Sequence, residues 1–186
     1  SLVFSLILAK NYPIDRSGLI CLSVSLALIE SLNKRGLNAK LKWPNDLLVN
    51  EKKIGGILCE TKIENSKIKT MVIGVGVNVN ESIAEHDKSI QKNLTTMLEV
   101  SKHPHQRELI VAEFINSFEL WLNTLSVEPN QIIETWLEKC IHLNERILFL
   151  QNEKILEGVF CGLDDNGFAK IEIDNKVKYF NSIDLI

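Results

Sequence analysis

Lys42-Trp43-Pro44-Asn45-Asp46 and, six residues later, Lys53-Ile54-Gly55-Gly56-Ile57-Leu58 hold the densest chemistry in the chain. The stretch predicts strands over residues 39–43 and 47–49 around a Pro-Asn-Asp break. A polar turn, Asn50-Glu51-Lys52, then leads into a third strand over 54–63. Pro44 biases Trp43 towards an extended backbone. Lys42 alternates with Leu41 and Trp43, so it belongs on the opposite face from them. Paired glycines weaken a strand but let a ligand lie against bare backbone.

Residues 69–79 (Thr70-Met71-Val72-Ile73-Gly74-Val75-Gly76-Val77-Asn78-Val79 at their centre) form the most strand-like run. They pair antiparallel with 54–63 across a hairpin at 64–67. Residues 1–8, with Val3, Phe4 and Ile7, predict a further strand, and 13–18 a turn. Apolar positions 19, 22, 26, 29 and 32 predict a helix over 19–34, opened by Asp15 or Ser17 and closed before Gly36. Residues 81–104 are polar and irregular, with a short helix near 91–98. A helix over 106–125 carries a core stripe of Ile110, Phe114, Phe118, Trp121 and Leu125, and Pro129 opens another through Lys139. From about Asn144 the pattern changes to short strands at 146–150, 155–161, 168–173 and 176–180, turned at 164–167 and 174–175. These make a small barrel-like module and divide the chain into 1–142 and 143–186.

The chain has 186 residues, of which 45% are hydrophobic and 24% charged, enough for a real core. A net charge of −3 gives no basic surplus for nucleic acid. Residues 2–8 have no basic leader, and the serines and Glu30 interrupting 19–32 leave it short of a membrane span. The expected setting is cytoplasmic, with no membrane partner. Cys21, Cys59, Cys140 and Cys161 show no paired spacing and read as buried free thiols. His103 and His105 around Pro104 read as a surface loop, not a metal site. The chain opens on Ser1 in a strand-like run, which suggests that a natural N-terminal portion is missing.

Lys53 is the first candidate for catalysis. A carboxylate attacking a phosphate brings two anions together, and a fixed ammonium between them lowers that repulsion most in the transition state. Asn45 and Asp46 read equally as turn residues or as an amide and carboxylate offered to a phosphate, Mg²⁺ or amine. Lys42 is either catalytic or paired with an acid, and Trp43 reads as core before ligand platform. Gly74 and Gly76 mark close approach by a ligand or another backbone, the alternative being a bulge. Asn78 offers donor and acceptor to an adenine edge, or simply ends the strand.

Taken together, the K-W-P-N-D motif, K-I-G-G-I-L-C-E from Lys53, V-I-G-V-G-V-N-V from Val72, the opening L-V-F-S-L-I-L and the closing hairpins with G-L-D-D-N-G resemble bacterial biotin protein ligases (biotin–[acetyl-CoA-carboxylase] ligases). The resemblance implies an α+β fold: a mixed, largely antiparallel sheet with flanking helices, related to class II aminoacyl-tRNA synthetases, plus a small C-terminal SH3-like β-barrel. It implies ATP-dependent biotinylation of a carrier-protein lysine through biotinyl-5′-AMP, with ATP and Mg²⁺ required, biotin as substrate and a biotin carboxyl carrier domain as partner. By motif, Lys53, Asp46, Asn45 and Lys42 are catalytic. Lys53, Gly55, Gly56, Leu58, Gly74 and Gly76 hold biotin. Asn45, Asn78 and Lys53 hold the nucleotide, and Asp46 holds Mg²⁺. The family's G-R-G-R-x-x-R loop and biotin-recognition segment are not among these residues. Arg16, Arg35, Arg107 and Arg146 lie in no glycine-rich context. Activity of this chain alone is therefore in doubt. The rival readings are a non-catalytic fragment that self-associates as a homodimer, and a lipoate ligase-type enzyme of related fold.

Overall fold

The structure, a computed structural model, describes residues 1–9 and 12–186. The first sheet is built from β1 (Leu2–Leu8), β2 (Tyr12–Pro13), β3 (Lys40–Lys42), β4 (Asp46–Val49), β5 (Lys52–Glu64) and β6 (Lys67–Val77). Its order is β1-β6-β5-β4-β3, with β2 also against β6, and every pairing is antiparallel. Tight hairpins set this order. Asn50 and Glu51, and Asn65 and Ser66, all adopt positive φ, the backbone of two-residue turns whose twist matches the strands.

Alternation in β1 decides the layering. Leu2, Phe4, Leu6 and Leu8 face the core, while Val3, Ser5 and Ile7 are exposed. On the core side lies α1 (Ser17–Asn33), which packs against β3 and β5 and is flanked by α4 (Arg107–Val127) and α5 (Pro129–Lys139). Phe4 meets Phe114 edge-on, ring centroids 5.3 Å apart. The expected one-sided stripe on α1 understates its burial. Ile20, Val24, Ala27 and Leu28 are also buried, as are Ser23, Ser25 and Ser31, because the helix is enclosed by both sheet and helices. Each of these serines satisfies its hydroxyl on a carbonyl three or four residues back, Leu22, Leu28 or Leu19. The Trp136 indole N–H donates to Ser25 Oγ at 2.9 Å, and Ser117 and Trp121 on α4 both donate to Glu30.

The irregular stretch differs from expectation. Its α-helices are α2 (Lys88–Gln91) and α3 (Met97–Ser101), and between them Asn93, Leu94 and Thr95 lie beside Lys53, with Leu94 bridged to it. Thr96 caps α3 by accepting from the Glu99 N–H, which explains why the helix starts later than periodicity alone suggests. The cysteines are free but half-buried rather than fully buried. His105 is held by reciprocal hydrogen bonds with Asn80. No helix among the described residues is long and apolar enough to cross a membrane.

The second sheet comprises β7 (Arg146–Gln151), β8 (Lys154–Leu163), β9 (Ala169–Ile173), β10 (Lys176–Phe180) and β11 (Asp184–Leu185), in the order β10-β9-β8-β7-β11. A register shift between Phe160 and Gly162 bends β8. The result is an SH3-like curl whose edge strands β10 and β11 are not paired with each other, so the expected barrel is left open.

The two sheets meet around Trp43 and Phe160 (centroids 6.5 Å apart) and around His142, whose ring lies edge-on to Phe160 at 4.4 Å. His142 is 6% exposed, and neither ring nitrogen has a hydrogen-bond partner among the described residues. Burial, aided by the nearby charge of Lys42, lowers its pKa from 6.5 to about 4. The folded state therefore holds His142 neutral, while the unfolded chain takes up the proton first as pH falls. The stabilising contribution is complete above pH 6.5 and is lost as pH drops towards 4, about 3 kcal/mol in all. Urea unfolding of the wild type against His142→Leu across this window should show the variant with a distinctly flatter pH dependence.

Candidate active site

Side-chain alternation would put Lys53 on the same face of β5 as Gly55, towards the helices. The structure puts it on the other face. Asp46 pairs with Gly56 and Leu47 with Gly55, but Leu48 pairs with Lys53, leaving Ile54 as an extra residue on β5. Such a bulge reverses the phase of the strand. Ile54 is buried, and the Lys53 ammonium reaches Asp46 Oδ1 at 2.5 Å. The backbone of Lys53 is fixed from the side where β6 has ended: its N–H donates to Asn93 O at 2.8 Å, and its carbonyl accepts from Thr95 N–H at 2.9 Å. Asn45 is clamped in turn. Its Nδ2 donates to Ile57 O at 2.8 Å, and Ile57 N–H donates to Asn45 O at 3.0 Å.

These groups border a shallow cavity of about 320 Å³ on the open face of the first sheet. Asn45, Asp46 and Lys53 form its polar end, and Gly56, Gly74 and Gly76 its bare-backbone strip. A side chain built at Gly76 would meet nothing within 4 Å, while one at Gly56 would touch Lys53 and Asp46. Leu58 and Val3, 60% and 78% exposed, supply apolar walls. The result is one cation and one anion at the end of a trough that accepts flat or extended apolar matter.

Three of the expected residues lie off this cavity. Gly55 points at β6, where a Cβ would sit 2.6 Å from Gly76 O, so close strand packing accounts for it. Lys42 is half-buried opposite Asp46 in the β3–β4 pair, towards His142. Asn78 closes the end of β6: its N–H donates to Ile54 O at 2.8 Å, its Nδ2 to Thr95 O at 3.1 Å, and its carbonyl accepts from Met97 N–H. Conversely, Val3, Phe4 and Ser5 line the cavity. Ser5 faces it opposite Gly74, a position that alternation along β1 could have revealed. The supporting role of residues 93–95 left no sequence signal.

A larger cavity, about 620 Å³, lies between the first turns of α1, the later part of β5 and the turns of the second sheet. Asn45, Ile57 and Leu58 border both cavities, and Cys21, Cys59, Met71 and Trp43 line this one. Hydrogen bonding with Cys21 and burial push the Cys59 thiol far above the ordinary range. Among the described residues no group of three or more His, Cys, Asp or Glu side chains is placed to hold a metal ion.

Residues 1–78 match the model of the biotin/lipoate A/B protein ligase family, and residues 142–183 that of the biotin protein ligase C-terminal domain. The bifunctional ligase/repressor BirA of Bacillus subtilis is 24% identical over 185 residues, covering 97% of this chain and 56% of the relative. The biotin–[acetyl-CoA-carboxylase] ligase of Paracoccus denitrificans is 30% identical over 152 residues, 77% of this chain and 62% of the relative. The chain thus spans little more than half the length of the curated relatives it matches. The biotin protein ligase of Aquifex aeolicus in complex with biotin and ATP superposes with a TM-score of 0.82 at 24% identity, over 99% of this chain and 77% of that one.

Gly55 and Gly76 separate packing from access, and neither has positive φ. Gly55→Ala should cost about 1–3 kcal/mol by forcing β5 from β6, whereas Gly76→Ala should leave thermal unfolding at or above the wild-type midpoint. Melting curves of the two variants decide this.

Proposed function

The chain belongs to the biotin/lipoate A/B protein ligase family, and from that premise we propose that it provides the reacting-end half of an ATP-dependent biotin protein ligase site. One observation carries the reading: the β5 bulge sets the Lys53 ammonium against Asp46 at the head of a glycine-lined trough. In the first step a biotin carboxylate oxygen forms a bond to the α-phosphorus of ATP, and the bond to the bridging oxygen breaks to release pyrophosphate. Lys53 lies where both anions meet, and its charge stabilises the transition state more than the separated reactants. In the second step the amine of a carrier-domain lysine attacks the acyl carbon and AMP leaves. Catalysis is positioning and charge stabilisation, with no covalent enzyme intermediate.

Gly56, Gly74, Gly76 and Leu58 form the biotin wall, and Asn45 faces the phosphate from its clamp on Ile57. Asn78 keeps an Oδ1 with no partner among the described residues, an acceptor for the adenine amino group at the Lys53 end of β5. Lys42 acts at a distance, through charge. Among the described residues Asp46 is the only carboxylate on the cavity, which fits a Mg²⁺ held mainly by substrate phosphates and water. Bound there, Mg²⁺ would neutralise phosphate charge. We assign residues 1–142 to the catalytic part and 143–186 to the SH3-like part, with a biotin carboxyl carrier domain as acceptor. The match of residues 142–183 to the biotin-specific C-terminal model favours biotin over lipoate.

Thermal shift with adenylates tests the assignment. Biotinyl-AMP should raise the melting temperature and lipoyl-AMP should not. No shift with biotinyl-AMP, or an equal shift with both, contradicts it. In the intact protein, Lys53→Ala should depress biotinyl-AMP formation by roughly three orders of magnitude, about 4 kcal/mol of lost stabilisation, as read by pyrophosphate release. A loss of only a few-fold removes Lys53 from the mechanism.

A further inference from the structure

Lys53 sits where the first sheet runs out on one side. β6 ends at Val77, opposite Gly55, and the next residue, Asn78, still donates its N–H to Ile54 O at 2.8 Å. Leu48 of β4 pairs with Lys53 on the other side. On the open side Leu94 takes the place of the missing strand through a parallel bridge. Lys53 N–H donates to Asn93 O at 2.8 Å, and Thr95 N–H donates to Lys53 O at 2.9 Å. Thr95 uses its other backbone group as well, since its carbonyl accepts from Asn78 Nδ2 at 3.1 Å. Thr95, Thr96 and Met97 are buried. Met97 N–H and Leu98 N–H donate back to Asn78 O and Val79 O at 3.0 and 2.9 Å. One short segment is thus stitched to Lys53 at one end and to Asn78 at the other.

We propose that Thr95 is a positioning residue whose backbone links a nucleotide held on Asn78 to the aim of the Lys53 ammonium. The proposal deepens the ligase reading and rests on it. Asn78 offers Oδ1 to the nucleotide and Nδ2 to Thr95, and hydrogen bonds in such a chain polarise and strengthen one another. A nucleotide amino group on Oδ1 therefore tightens the hold on Thr95. Thr95 in turn fixes the backbone from which the Lys53 side chain springs. An ammonium on a flexible four-carbon stem is aimed no better than the backbone that carries it. A misplacement of about 1 Å at the reacting end can cost about 100-fold in rate. This chain of bonds uses the backbone of Thr95 and not its side chain, which separates the role from ordinary packing.

Hydrogen exchange on the chain without ligand tests the link. Asn78→Asp keeps the shape of the side chain but removes the Nδ2 donor. It should speed exchange at the Thr95 and Lys53 amides by about 10-fold, the worth of one hydrogen bond. Amides in the middle of α4 are the reference and should keep their wild-type rates. Because this arm needs neither nucleotide nor biotin, it stands or falls apart from the ligase reading. In the intact protein, Thr95→Pro removes the N–H that holds Lys53. It should lower kcat for biotinyl-AMP formation by about 100-fold while KM for biotin stays within about threefold. Thr95→Val keeps the N–H and should recover kcat to within about twofold of wild type. Unchanged exchange at Lys53 in Asn78→Asp, a Thr95→Pro kcat within a few-fold of wild type, or an equal loss of kcat in Thr95→Val overturns the proposal.

Discussion

One extra residue in β5 determines the chemistry of the open face. Without the bulge at Ile54, Lys53 would fall in phase with Gly55 and face the helices, leaving Asp46 without its cation. With it, the ammonium crosses to the glycine side and meets Asp46 at 2.5 Å. The bulge is held from three directions. Ile54 is buried, its carbonyl accepts from Asn78, and residues 93–95 bind the Lys53 backbone where β6 has run out. Both partners of the ion pair remain partly open to water, so its worth lies in placing charge rather than in stability.

β5 also separates the trough from the chamber beneath α1. Beyond Gly56 no strand among the described residues pairs with it on the β4 side. Its glycine and leucine positions shape the trough, while Ile57, Cys59, Thr61 and Ile63 look into the chamber beneath α1 and the second sheet. Asn45, hydrogen-bonded twice to Ile57, stands on the boundary. The turn of the second sheet packs on the start of α1, where a side chain at Gly18 would run into the Asn166 carbonyl. Contents of the chamber therefore bear on the same segment that positions the polar end of the trough.

Much of this was legible in the residues, for identifiable reasons. The β5–β6 hairpin follows from the strand-like runs on either side of Asn65-Ser66, and α4 from the spacing of Ile110, Phe114 and Phe118. The glycine strip was visible because glycine has few other uses inside a strand. What escaped depended on pairing between distant segments. The phase of Lys53 is set by how β4 registers on β5, and the docking of residues 93–95 on Lys53 by the place where β6 stops. Gly55 and Gly56 look equivalent in sequence, yet one answers to strand packing and the other to the cavity. β11, two residues long, carries no periodic pattern, and the seam it leaves beside β10 could not be read from composition.

The most direct measurement is a crystal structure with biotinyl-AMP bound. The account predicts ligand density along Gly56, Gly74 and Gly76 with Lys53 Nζ in hydrogen-bond contact with the phosphate. Density for the adenylate in the chamber beneath α1, or a Lys53 side chain turned from the phosphate, would contradict it.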